Sequence, residues 1–372
     1  MVLDIARPVT AKSGSSRART LKSEFNPKAN SLTMLRLGLA SLVAMVHAGA
    51  VAFGEQPTFG VDPRLGPTHL GDLAVDAFFV LSGFLVTMSY LRLGSPARYL
   101  WHRALRILPA FWVCLIFTAV VLAPLITLLE GRPPLSVYPQ AFSYIWKNAA
   151  LHMFDFSVGG APHTTFTPGV VNGALWTLYY EFVCYLLIAA LGVAGFLTRR
   201  VRWMPALVIV LGVLNEVAAL GLLDLPAQQM RRFFFMFLLG ACGLLFAHRI
   251  PISGRWALAG LLLVALGLAF LPDYRPVAGV GFAYLCLWAV VALPLRWDPG
   301  FDLSYGMYIF HWPIETLLTL LGVAALGVVP FIVIAVLLAA VAAALSWFLV
   351  EKPALAHKSR PFPWEEPAIG TR

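Results

Sequence analysis

Residues 32–53 read LTMLRLGLASLVAMVHAGAVAF. As a helix this stretch is about 33 Å long at 1.5 Å per residue, enough to cross the hydrocarbon core of a bilayer. It closes on small residues, Ala48 to Ala52, which resemble the cleavage site of a secretory leader. A long hydrophilic lead precedes it, however, and Arg36 and His47 sit within it, so the stretch is expected to remain as a first membrane helix. The rest of the chain repeats the pattern. Its 372 residues are 60% hydrophobic and 12% charged, with a mean hydropathy of +0.80. Soluble domains carry about 25% charged residues, so this much apolar surface calls for lipid as solvent.

Further apolar runs fall near 73–91, 107–128, 174–196, 203–223, 233–248, 256–271, 277–294, 303–322 and 329–349. The expected fold is therefore all-α: a polytopic bundle of about ten transmembrane helices. A shorter stretch, 142–153, carries Lys147, Asn148 and His152 and is expected to be re-entrant or interfacial. The net charge of +9 is scattered in short clusters between apolar runs, which suits orientation signals and not a nucleic-acid surface. Placing Arg92, Arg98, Arg103 and Arg106, Arg199, Arg200 and Arg202, Arg249 and Arg255, Arg296, and Lys352, Lys358 and Arg360 in the cytoplasm brings both termini there. Arg231 and Arg232 are the misfit, at the outer end of a helix. Residues 1–30 are expected to be a disordered basic tail, 31–351 the membrane domain and 352–372 a cytoplasmic tail. Cys114, Cys184, Cys242 and Cys286 lie in apolar runs without a CxxC pair and read as small buried hydrophobes, so neither a disulfide framework nor a metal site is expected. No GxxxxGKS, GxSxG or HExxH motif occurs. No internal repeat or matched pair of broken helices points to a secondary transporter.

Chemistry must then come from ionisable residues within the spans, which are costly to keep there. Arg36 and His47 are eleven residues apart, which on a helix leaves them on one face about 16 Å apart. A guanidinium could hold phosphate near one surface while an imidazole works deeper; a snorkelling Arg and a packing His are the plainer alternative. Asp72, Asp76, Phe79 and Gly83 share a stripe on the next span. Asp76 could orient His47 or pair with Arg231 or Arg232, and Asp72 suits a helix start. Glu181 lies about two turns into its span beside Tyr179 and Tyr180, as a functional group or half of a structural pair. Ser304, Tyr308, His311 and Glu315 form another stripe, with His311 either a second working imidazole or a strut. Arg98, His102, Arg103 and Arg106 satisfy the positive-inside rule, and their spacing also suits several phosphates.

These segments together resemble the bacterial membrane acyltransferases of the acyltransferase-3 type, from about residue 30 to 353. The resemblance rests on LRLGLASLVAMVHAG (35–49) with its Arg-x10-His, GDLAVDAFFVLSGFLV (71–86), the R-x-x-R of Arg103 and Arg106, LWTLYYEF (175–182), DLSYGMYIFHWP (302–313) and the closing EKP (351–353). It implies transfer of acetyl or another short acyl group from cytosolic acyl-CoA to a glycan or glycolipid hydroxyl on the outer side. It also implies a multi-pass protein of the bacterial plasma membrane. His47 matches the essential histidine, Arg36 its companion, and Arg103 and Arg106 the donor-side arginines. Asp76 and Ser82 match the FFVLSG segment, and Glu181 the family glutamate. Phe182 stands where a second acidic residue is common.

The resulting expectation has CoA phosphates on Arg36, Arg103 and Arg106, and His47, held by Asp76 or Glu181, as general base. Ser82, Tyr180 or His311 would supply oxyanion donors, and an acyl-enzyme relay is a variant. The expected partners are acyl-CoA, a carbohydrate or glycolipid acceptor and the lipid bilayer, with no nucleic acid and no permanently bound cofactor; a homo-oligomer is compatible with the sequence. A small-molecule glycoside such as an antibiotic is the alternative acceptor, with choice expected in segment 129–172. A transporter of lipid-linked or small metabolites is the alternative from another class, and a membrane scaffold a weaker one.

Overall fold

The computed structural model describes residues 19–55, 58–59, 68–297 and 299–360. A single turn, α1 (Leu21–Glu24), precedes α2 (Leu32–Phe53), α3 (Leu70–Leu93) and α4 (Pro96–Phe117), and α4 continues through a π-helical turn, Thr118–Leu122, into α5 (Ala123–Leu129). Then come α6 (Tyr138–Asn148), α7 (Thr177–Val193), α8 (Met204–Ala219), α9 (Gln228–Leu245), α10 (Gly254–Phe270), α11 (Arg275–Ala292), α12 (Ser304–Leu320) and α13 (Val328–Ser346). A second π-helical turn, Trp347–Glu351, leads into α14 (Lys352–Leu355). Among the described residues the named strands are β1 (Thr58–Phe59) and β2 (Thr68–His69), an antiparallel pair of two residues each. The protein is an all-helical membrane protein.

Each of the apolar runs read from the sequence contains a helix, but among the described residues six helical segments combine the length and hydropathy needed to cross a bilayer. They are Leu32–Phe53, Leu70–Leu93, Pro96–Leu129, Val201–Ala219, Arg275–Ala292 and Val328–Ser359. α7 and α10 are apolar but shorter. α9 begins with Gln228, Gln229, Arg231 and Arg232, and α12 carries His311 and Glu315, so these two trade hydropathy for polar groups turned into the bundle.

Two glycines bring α3 and α9 backbone to backbone. A Cβ on Gly83 would run into the Phe237 carbonyl, and one on Gly240 into the Val80 carbonyl. Lipid offers no hydrophobic drive for helix association, so close approach of this kind supplies the dispersion contact that does. α12 packs between α2 and α13, which places the His311 stripe against the His47 face.

Prolines inside the helices free carbonyls that lipid cannot satisfy. Pro313 has no N–H for the Ile309 carbonyl one turn back; Asn172 Nδ2 donates to it instead at 2.9 Å, and the Cys114 thiol at 3.3 Å. Pro124 frees the Val120 carbonyl, which accepts the Tyr138 hydroxyl at 3.2 Å. Such bonds tie α12 to α4, and α6 to the π-helical turn.

The expectation of a disordered tail over 1–30 needs correcting. Residues 1–18 and 361–372 lie outside the described residues, but 19–30 are folded onto the bundle. Leu21 is fully buried and its N–H donates to the Ile250 carbonyl at 2.9 Å, while the Phe25 ring meets Phe84 edge-on at 5.1 Å. These two apolar side chains anchor an otherwise polar segment. At the other end α14 and a following turn, Ala356–Ser359, pack on α4, where Trp101 Nε1 donates to the His357 carbonyl at 3.4 Å. α6 turns Ala141, Tyr144 and Asn148 inward and exposes Phe142 and Trp146, as an interfacial helix would.

Candidate functional site

α2 carries the site at both of its ends. Near its far end His47 meets His311 of α12, with Nδ1 and Nε2 2.8 Å apart and the rings nearly parallel. Trp312 closes edge-on over His47 at 4.9 Å. His311 is fully buried and its Nδ1 lies 3.2 Å from the Met307 carbonyl one turn back. A carbonyl only accepts, so His311 Nδ1 carries the proton. In the neutral ring Nε2 of His311 then accepts, and His47 Nδ1 must donate to it. That order of bonds leaves the lone pair on His47 Nε2. The pair is thus a histidine base held in one tautomer by a second histidine, which is itself held by a helix carbonyl.

At the other end of α2 Arg36 meets Asp302, just ahead of α12, at 3.0 Å. Asp302 also takes Arg106 at 2.6 Å, and Arg106 reaches Glu351 at 3.0 Å. Glu351 sits on the π-helical turn at the end of α13, where Pro353, lacking an N–H, cannot bond the Leu349 carbonyl, and its Oε1 accepts from Ser346 Oγ at 3.0 Å. Burial raises the Asp302 carboxyl, but the guanidinium charges of Arg36 and Arg106 and hydrogen bonds from Ser304 outweigh it and hold the group well below the usual carboxylate range. Two cations and two anions balance here.

Between the two ends lies a cavity of about 40 Å³ whose lining includes Arg36, Ser82, Glu181, Ser304 and Tyr308. Ser82 Oγ donates to Glu181 Oε1 at 3.3 Å and Tyr185 OH to the same oxygen at 2.6 Å. Tyr308, hydrogen-bonded to Thr177 at 2.6 Å, stands between this cavity and His311, its ring centre 6.1 Å from the imidazole. The fold therefore gathers Arg36, Ser82 and Glu181 around one space and sets His47 and His311 beyond it. Arg103 lies to the side, its guanidinium 5.8 Å over the Tyr185 ring and its Nη2 3.4 Å from Ser89 Oγ.

Asp76 goes elsewhere, and the expected contact between Asp76 and His47 is corrected. Its Oδ1 accepts from Arg232 Nε at 2.9 Å, and its Oδ2 from Arg275 Nε at 2.6 Å and Tyr274 OH at 2.8 Å. Arg232 also pairs with Asp72 at 2.9 Å, and Arg275 with Asp273 at 2.9 Å. Three helix starts, those of α3, α9 and α11, are pinned together by a buried ion cluster. The Arg232 that misfits the charge rule is one of its members. Glu181 likewise bonds Ser82 and Tyr185, so the group found to orient His47 is His311. Sequence reasoning gave no role to Asp302 or Glu351, although both lie in quoted motifs. The available signal was a lone carboxylate opening the His311 helix beside an arginine-rich surface.

Comparison with known proteins bears on the chain as a whole. Residues 30–351 match the family profile described as an acyltransferase domain, of the acyltransferase-3 type. A protein of Shigella phage Sf6 named O-acetyl transferase is 25% identical over 354 residues, covering 89% of this chain and 98% of that protein. Nodulation protein 10 of Rhizobium leguminosarum bv. viciae is 29% identical over 372 residues, covering 88% and 93%. YrhL of Bacillus subtilis (strain 168), which carries a provisional peptidoglycan O-acetyltransferase name, is 26% identical over 340 residues, covering 78% and 52%. No solved structure matches the chain.

Proposed function

This chain belongs to the acyltransferase-3 family, and on that premise we propose that it moves an acyl group, acetyl above all, from cytosolic acyl-CoA to a hydroxyl of an extracytoplasmic or lipid-linked glycan. The observation that carries this is the bond order Met307–His311–His47, which frees one basic nitrogen on the helix that also bears Arg36. The names of two relatives, one an O-acetyl transferase and one given provisionally as acting on peptidoglycan, favour acetyl and a glycan.

In this scheme His47 Nε2 takes the proton of the acceptor hydroxyl as its oxygen attacks the thioester carbonyl. The new C–O bond forms, the C–S bond breaks, and the proton ends on the departing thiolate. A positioned imidazole contributes about 10²–10⁴-fold to such a step. Ser82, on the wall of the cavity, donates to the oxyanion once its hydroxyl turns away from Glu181. His311 supports His47 and Asp76 supports the scaffold. The cavity as it stands admits water-sized guests, since one water needs about 10–15 Å³. The arm of the donor thus enters by displacing wall side chains such as Tyr308 and Phe78. Ten crossings of a bacterial plasma membrane with both termini in the cytoplasm put the arginine-rich end on the donor side.

Purified protein incubated with radiolabelled acetyl-CoA and cell-envelope glycan should release CoA and label the glycan. His47→Ala should abolish both while remaining in the membrane fraction. Full transfer by that variant would remove His47 from the chemistry, and substrate flux without acylation would make the protein a carrier.

A further inference from the structure

The turn that joins α7 to α8 is held by its own backbone. Gly195 takes the left-handed conformation, with φ 79°. The Phe196 N–H donates to the Leu191 carbonyl at 2.8 Å and the Gly195 N–H to the Gly192 carbonyl at 3.0 Å, the two bonds of a Schellman cap. The chain then bends back toward α8, with the Arg200 N–H on the Gly195 carbonyl at 2.8 Å and the Trp203 N–H on the Arg200 carbonyl at 2.9 Å. Leu197 and Met204 are buried and anchor this turn to the bundle. Arg199, Arg200, Arg202 and Trp203 are exposed on its other side. An open groove of about 430 Å³ runs there, lined by Phe196, Arg200, Trp203, Ala206, Leu207 and Val210.

Positions 203, 206, 207 and 210 follow helical spacing, so one wall is a single apolar stripe of α8, about 10 Å long at 1.5 Å per residue. Next along the same helices, Val193, Ile209 and Val213 are each more than half exposed, a surface whose solvent is hydrocarbon. The guest of this groove therefore carries an apolar chain. Its head is anionic. No Asp or Glu occurs between residues 182 and 215, and among the described residues none of Arg199, Arg200 and Arg202 enters an ion pair. Trp203, with Arg202 5.8 Å over its ring, is the residue type that marks headgroup level. α7 has 17 residues and spans about 26 Å, short of the roughly 30 Å hydrocarbon core, so lipid must fill the space past its end. We propose that this groove holds one anionic phospholipid, its phosphate on Arg200 and an acyl chain along the α8 stripe. Basic pockets between membrane helices take acidic head groups in the same way. The site lies outside the cavity and the histidine pair, and it stands whether or not the proposed acyl transfer does.

The test is native mass spectrometry of the full chain in mild detergent, titrated with phosphatidylglycerol or phosphatidylcholine. The wild type should retain one molecule of phosphatidylglycerol about fivefold more tightly than phosphatidylcholine, the scale of one basic residue at an acidic head group. Arg200→Gln should still hold a lipid but bring the two affinities together. Ala206→Phe, at an exposed position, fills the groove without changing charge and should lose the retained lipid of either kind. Arg249→Gln, an exposed arginine outside the groove, should match the wild type. Glycerol phosphate, a head without chains, should not displace the bound lipid. Equal retention of the two lipids by the wild type, or no retained lipid at all, overturns the proposal. So does a preference for phosphatidylglycerol that survives in both Arg200→Gln and Ala206→Phe, since the selective site would then lie elsewhere. Displacement by glycerol phosphate would make the groove a site for soluble anions, and a wild-type dimer that Ala206→Phe dissociates would give it to a second copy of the chain; either result removes the phospholipid as its occupant.

Discussion

A single carbonyl, that of Met307, decides which nitrogen of His47 is basic, because it fixes the proton on His311 Nδ1 and so makes His311 Nε2 an acceptor. Removing the acceptor should release the tautomer. His311→Phe is expected to lower kcat by about 10²-fold or more while KM for either substrate changes little, and His311→Gln, whose amide oxygen can accept, should retain more of the rate. Steady-state rates with radiolabelled donor check this; equal rates in the two variants would make His311 a packing residue. Asp302→Asn should uncouple Arg36 from Arg106 and lower both thermal stability and turnover. Since the folded protein holds Asp302 below its unfolded value, the stability it confers is complete above about pH 4 and is lost as pH falls through the depressed value. Wild-type melting should therefore weaken toward acid, and Asp302→Asn should lie below it at neutral pH and converge with it in acid. Much of this site was legible in the sequence: the spacing of Arg36 and His47 gave one face, and Ser304, Tyr308 and His311 gave the stripe that meets it. For Asp76 the Arg232 partner was one of the alternatives read from the sequence, but Arg275 was not, because it lies 199 residues away and only tertiary packing brings it there.

Elements show the same division. Hydropathy located α2 to α13 but neither α1 nor α14, and it could not say which helices touch, since membrane helices associate through shape and polar contacts that leave no apolar period. The crossing of α3 and α9 depends on two missing side chains. Gly83→Leu or Gly240→Leu drives carbon into a carbonyl and should cost about 3 kcal/mol. Lower melting temperature and a loss of monodisperse protein in detergent would register it, and a Gly83→Leu protein as stable as wild type would mean that the helices do not meet there. The ion cluster at the starts of α3, α9 and α11 behaves differently. Arg275→Ala removes one of the two cations on Asp76, whose exposure is 0%, and leaves Arg232 and Tyr274, so the cost should stay at or below the roughly 3–5 kcal/mol of breaking a buried pair. Molecules that still fold should keep most of their turnover, because Asp76 braces the bundle at a distance from the reacting atoms. A variant of full stability whose kcat collapses would return Asp76 to the chemistry.

At the scale of the whole molecule the proposed transfer depends on which end faces which solution. Under the proposed function the basic end, with Arg36, Arg103, Arg106 and Lys358, faces the cytosol, where a soluble nucleotide donor can reach it, and the His47 end faces the acceptor. Positive-inside counting assigns the ends this way, and the structure answers half of the objection to it, leaving Arg231, which bonds the Leu225 and Pro226 carbonyls. Arg232, which sits at the wrong end for that rule, is paired with Asp72 and Asp76, so it contributes no free positive charge to orient the chain. Single-cysteine labelling tests the assignment directly, in a background lacking the four native cysteines. His163 and Leu222 are exposed at the His47 end: Val170, in the loop of His163, accepts from Trp312 over His47, and Leu222 precedes α9 near Arg232. Ser23 and Ser359 are exposed at the basic end. A membrane-impermeant maleimide applied to intact spheroplasts should modify His163→Cys and Leu222→Cys, and reach Ser23→Cys and Ser359→Cys after permeabilisation alone. The opposite pattern would put the arginine cluster on the outside, where no cytosolic acyl-CoA exists, and the direction of transfer would have to be abandoned.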